Sequence, residues 1–188
     1  MNKKNHALYL AITAMFSALL FGGKQALAVL PNIEIVTLVT ALCAYVWGLG
    51  VCLSAVLVFV MCQIAYYGIN TWVVSYLVHW SLVAVAFWLL SKVKTNKVLT
   101  VVTVTITAVV LTATFGVLTS AVDVCIGYVQ GQGFYFDFDN FSKRFAAMYL
   151  AGASFYVTHV LCNLALFATA FLPLVQLNKK AKLRLFGQ

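Results

Sequence analysis

A bundle of six transmembrane α-helices with both chain ends in the cytoplasm is the fold this sequence predicts, and three observations predict it. Of the 188 residues, 64% are hydrophobic and 9% charged, too little polar surface for a domain surrounded by water. The apolar residues gather into six segments. The charges are segregated: nine of the twelve basic residues lie at Lys3-Lys4, at Lys92, Lys94 and Lys97, and at Lys179, Lys180, Lys182 and Arg184, while the four acids, Glu34, Asp123, Asp137 and Asp139, lie elsewhere. Such segregation is the mark of positive-inside topology. It assigns the net charge of +8 to a membrane surface and argues against nucleic acid.

The first segment runs from about Ala7 to Val29, too long and too closely followed by others for a cleavable signal peptide. Ala7, Ala11, Ala14 and Ala18 recur at intervals of four, three and four, so they share one helix face. Small residues on one face let a second helix approach closely, either inside the same bundle or from a partner. After the break Leu30-Pro31-Asn32-Ile33-Glu34 comes a short second segment, Ile35 to Trp47. Val46-Trp47-Gly48-Leu49-Gly50 reads as a tight turn into the third, Val51 to Tyr67. Tyr67-Gly68-Ile69-Asn70-Thr71 turns into the fourth, Trp72 to Leu90. The fifth covers Val98 to Val122 and the sixth Ala146 to Gln176.

Spanning the hydrocarbon takes about 20 helical residues, so the second segment is short and the sixth long. Six crossings put Lys3-Lys4, the Lys92–Lys97 loop and the basic tail on one side. The Pro31 break, the Gly68 turn and the loop from Asp123 to Arg144 then face outside, with Lys143 and Arg144 as exceptions.

Ionisable groups within spans are expensive and point to function. Lys24, near the outer end of the first span, either snorkels to the headgroups or shares an outer cavity with Glu34. His79 and His159 lie roughly 10 and 20 Å below the outer ends of their segments at 1.5 Å per residue. Unequal depths disfavour a haem held between them, and the shallower His79-Trp80 is the better candidate for a ligand. Gln63, Tyr66, Tyr67, Asn70 and Trp72 cluster around the third-to-fourth turn, and Gln63 in particular needs partners inside a span. Asn163 poses the same demand deeper down. The outer loop, preceded by Tyr128, alternates aromatics such as Phe134, Tyr135 and Phe136 with polar groups, as a lid or an interfacial belt would. The Gly131-Gln132-Gly133 within it has no preceding strand and is not a dinucleotide fingerprint.

The five cysteines form no C-x-x-C pair and carry no metal or disulfide framework. Ser154 and His159 lie five apart, on different helix faces, with no carboxylate near in sequence, and no phosphate-binding loop is present. Neither an enzyme nor a chain that hydrolyses nucleotide is expected.

The alanine motif, the run Pro31-Asn32-Ile33-Glu34-Ile35-Val36-Thr37-Leu38, the Gly48/Gly50 turn and the six spans together resemble the substrate-binding S components of energy-coupling factor (ECF) vitamin transporters. The topology covers the whole chain, as one domain over 1–188, and the motifs about its first fifty residues. The resemblance implies a multi-pass protein of a prokaryotic cell membrane that captures a vitamin from outside with high affinity. It would dock on a transmembrane coupling subunit driven by two ABC-type ATPases and topple to release its cargo. No cofactor is implied: the vitamin is cargo, and the partners use the ATP.

Ala7, Ala11, Ala14 and Ala18 would form the docking face. Lys24, Asn32, Glu34, Gln63, Tyr66, Tyr67, Asn70, His79, Trp80, Tyr128, Phe134 and Tyr135 are the candidate substrate contacts. The branch is most similar to cobalamin-type S components; folate, pantothenate, riboflavin and a queuosine precursor are the alternatives. Outside this family, a haem-bearing electron-transfer protein using His79 and His159, or a membrane scaffold without ligand, stays open.

Overall fold

The computed structural model describes residues 3–30, 33–131 and 138–186, with only the helical backbone described for 3–5 and 128–131. The described residues are mostly helical, without strands. The elements are α1 (Lys3–Ala26), α2 (Val36–Leu42) prolonged by a π-helical turn (Cys43–Trp47), α3 (Leu49–Tyr67), α4 (Trp72–Leu90), α5 (Lys97–Gly131), α6 (Phe138–Thr169) and α7 (Phe171–Phe186). Five of them are long and apolar enough to cross a membrane, and Val36–Trp47 is a shorter apolar helix. Their outward faces carry large apolar side chains, among them Leu57, Ile106 and Leu161, each more than half exposed. That surface is compatible with a membrane-embedded protein.

Helix α2 is the axis of the bundle. It packs against α1, α4, α6 and α7, while its π turn meets α3, α4 and α7. Val36, Thr37, Leu38, Thr40, Ala41 and Leu42 are all buried, as are Cys43, Ala44, Val46 and Trp47. A helix apolar all round has no face for water, so burial on every side follows from its sequence. Cys52 of α3 donates its thiol to the Thr40 carbonyl at 3.3 Å, and Ser17 of α1 donates to the Ala55 carbonyl of α3 at the same distance. These bonds tie the neighbours to the core through groups that would otherwise be polar and idle.

Turn chemistry sets the connections. Gly48 closes the π turn at φ 101° and Gly68 ends α3 at φ 81°, conformations that L side chains adopt only at a cost. Gly50, by contrast, lies inside α3, so the predicted glycine turn uses one glycine and not two. Asn96 accepts the Leu99 N–H at 2.8 Å and so caps α5.

Two boundaries differ from expectation. The fifth and sixth segments extend as a helical hairpin, α5 to Gly131 and α6 back to Phe138, well past the predicted ends at Val122 and Ala146. At 1.5 Å per residue α5 is about 52 Å long and α6 about 48 Å. The long sixth segment also divides at Ala170, and its end belongs to α7. Pro173 has no N–H to give a continuing helix, but in the first turn of a new one that donor is not needed.

Helix α7 fastens one end of the bundle. Trp47 donates its indole N–H to Asn178 Oδ1 at 3.2 Å, and Lys182 Nζ donates to the Val46 carbonyl at 2.7 Å. Phe186 packs on Tyr9 and Trp47. Burial and the nearby Lys92 charge both lower the Lys182 pKa. This is the basic end, where the start of α1, Lys92 and the tail meet.

Candidate functional site

At the opposite end, a cavity of about 480 Å³ lies between α1, α3, α4, α5 and α6, directly over the start of α2. Its rim includes the exposed residues Leu30 and Asn70.

Trp72, Tyr76 and Trp80 form one wall. They are spaced by four along α4 and therefore share a face. Neighbouring rings in this row are 5.1 and 6.0 Å apart, and Phe115 of α5 stacks on Trp80 at 5.8 Å. Lys24 of α1 reaches in with its ammonium 5.0 Å from the Tyr76 ring centre.

Glu34 lies low in the cavity and is 13% exposed at its side chain. His159 Nε2 donates to Oε1 at 2.7 Å, Thr37 Oγ1 at 2.6 Å and Asn163 Nδ2 at 3.3 Å, while the Thr37 N–H donates to Oε2 at 3.1 Å. The carboxylate thus joins the start of α2 to the middle of α6. Burial by itself raises its pKa; the His159 bond and charge, with Thr37 and Asn163, outweigh this and hold it at about 2.

Four other buried polar atoms in or beside the deep part lack a partner among the described residues. Gln63 and Trp80, 1% and 3% exposed, line the cavity, and Gln63 Nε2 and Trp80 Nε1 have no hydrogen-bond partner among the described residues. His79 Nε2 and Ser75 Oγ, just behind, are in the same condition. Leaving a buried polar group without a partner costs about 1–3 kcal/mol. Four together are an unusual expense for a fold to carry.

Of the expected contacts, Lys24, Glu34, Gln63, Tyr67, Asn70 and Trp80 line this one cavity. Tyr67 also donates its hydroxyl to Gln25 Oε1 at 2.9 Å, and Asn70 accepts the Thr71 N–H. Lys24 and Glu34 do share the cavity but do not pair, because His159 takes the carboxylate. Tyr66 is 65% exposed, packed on Phe21 and Tyr67 outside the lining. His79 is not in the lining either, whereas His159, expected to be deeper, is. The two histidines instead flank the same Phe115 ring, at 4.6 and 5.5 Å. The depth estimate fails because it counts from helix ends, whereas the cavity lies at the start of the short α2, level with His159, which bonds Glu34 there. Asn32, Phe134, Tyr135 and the Tyr128 side chain lie outside the described residues.

Sequence reasoning did not assign Phe115, Tyr76 or His159 to the site. The i, i+4, i+8 aromatic row on α4 was a legible signal for Tyr76; nothing local marked Phe115.

Haem does not fit here. Phe115 stands against both imidazoles where a porphyrin would have to lie, and His159 Nε2 is committed to Glu34.

The alanine stripe faces outward: Ala7, Ala11, Ala14 and Ala18 are all exposed, while the next face of α1, Ile12, Phe16 and Leu20, is buried. It therefore does not pack within its own bundle.

Comparison with protein-family models, curated proteins and solved structures gives no match for this chain.

Proposed function

We propose that this chain is the vitamin-binding S component of an ECF-type importer, with six crossings and both ends in the cytoplasm of a prokaryote. It has no ATPase of its own and relies on a coupling subunit and two ATPases. The observation that carries the reading is the cavity itself: aromatic walls, unpartnered buried donors and a rim at the end opposite the basic residues. A ligand is the simplest partner for polar groups that the fold has left unsatisfied. The outward alanine stripe supports docking on a partner helix, since none of the described residues covers it.

The volume bears on which vitamin. Pockets for drug-sized ligands run to about 300–1,000 Å³, and about 480 Å³ lies in the lower half of that range. The cavity is open at its rim, and it would enclose only part of the corrin macrocycle of cobalamin with its nucleotide arm. The reading therefore favours the smaller alternatives over cobalamin.

The test is mass spectrometry of small molecules carried through purification of the full chain, followed by calorimetry with the compound found. Tight binding without ATP is expected, and failure of every vitamin to bind removes the proposal. Ala14→Trp and Ala18→Trp should abolish transport by the reconstituted complex while leaving ligand affinity intact. Undiminished transport would remove the docking role.

A further inference from the structure

We infer that the cavity selects a flat heteroaromatic carboxylic acid, its ring laid along the α4 aromatic row and its carboxylate on Lys24. This rests on the cavity being the ligand site proposed above.

The charge argument comes first. Among the described residues three acidic or basic side chains line the cavity, Lys24, Glu34 and His159, and the last two pair with each other. Glu34 already accepts from His159, Thr37 and Asn163. Lys24 has no carboxylate partner among the described residues and is held only by the Tyr76 face, which leaves its three N–H donors available. The net demand of the site is therefore for an anion, and a single ammonium suits one carboxylate better than a polyphosphate.

The shape argument is independent. Trp72, Tyr76 and Trp80 present a row of ring faces and edges over two helical turns, about 12 Å. A planar π-system packs there with large contact area, and sequence-tolerant apolar cargo would not need aromatic rings in register. Gln63 Nε2 and Trp80 Nε1 offer donors with no acceptor among the described residues. A ring nitrogen or ring carbonyl supplies one. Ring, acceptor and carboxylate are thus required of the same molecule.

The experiment is calorimetric titration of the detergent-solubilised full chain with five probes. Folic acid and nicotinic acid carry ring and carboxylate, riboflavin a ring without carboxylate, pantothenate a carboxylate without a ring, and cyanocobalamin exceeds the volume. Folic or nicotinic acid should bind most tightly, Lys24→Gln should weaken that binding at least tenfold, and Lys24→Arg should restore most of it. Tightest binding of riboflavin, pantothenate or cyanocobalamin overturns the inference and leaves the vitamin-binding reading standing. So does an unchanged affinity in a folded Lys24→Gln protein. Binding of none of these or any other vitamin overturns both.

Discussion

At the basic end, Trp47 gives its indole N–H to Asn178 and Lys182 gives its ammonium to the Val46 carbonyl. At the cavity end, Trp80 and Gln63 are as deeply buried as Trp47, yet their N–H donors have no acceptor among the described residues. The residue types are similar and the burial is similar, so the difference lies in what each end is for. One end is closed by its own side chains; the other is left incomplete. Within the incomplete end, Glu34 is the exception, a fully bonded group that holds α2 and α6 in place beneath the cavity.

The comparison can be broken most forcefully at that exception. Glu34→Ala leaves His159, Asn163 and the Thr37 hydroxyl buried without their acceptor, and should cost about 3 kcal/mol in thermal or denaturant unfolding. The same carboxylate sets an acid limit. Its pKa is about 2 against an ordinary 4.5, so its contribution is complete above about pH 4.5 and is lost as pH falls towards 2. Wild-type melting temperatures should drop over that window, and Glu34→Gln should flatten the drop.

Next in size is the α5–α6 hairpin. A Cβ added at Gly116 would sit 2.7 Å from the Tyr156 ring, close to its stem and not a flexible tip. Gly116→Val should therefore cost about 2 kcal/mol through overpacking, read as a lowered unfolding midpoint. The hairpin supplies Phe115 and His159, so ligand affinity should fall with it.

Gln63→Leu distinguishes the two ends directly. If the amide is idle in the empty protein, replacing it should raise stability by about 1 kcal/mol and reduce ligand affinity. A loss of stability would mean that the cavity end is already satisfied. Trp47→Phe is its counterpart, with a loss of about 1 kcal/mol for the missing Asn178 bond and no change in ligand affinity.

Much of this was legible in the sequence, and the exceptions have physical causes. Helix α4 ends where expected, at Trp72 and Leu90, because Asn70-Thr71 and Ser91-Lys92 change both polarity and turn propensity at the same places. Helices α5 and α6 outrun their apolar segments because hydropathy reports the surrounding solvent, while a helix continues through Asp123 or Lys143 once outside it. The last segment was read unbroken to Gln176, because its apolar character continues past Ala170, where the structure divides it. Lys24, Gln63 and Trp80 could be proposed for the site because a polar or amphipathic side chain in a span is conspicuous. The Glu34–His159 pair could not: its members are 125 positions apart, and no local pattern encodes their meeting.

The shortness of the central helix has one more consequence. Val36 to Trp47 is 12 residues, a rod of about 18 Å, against the about 30 Å that crossing a hydrocarbon layer takes. Its neighbours are full length, so roughly 12 Å of the bundle's axis has no helix in it. The cavity occupies that missing length. Depth for a guest is thus obtained by omission of about two turns from the axis, and lengthening α2 at its start by that amount would fill the site from below and displace Ile33 and Glu34 from its lining.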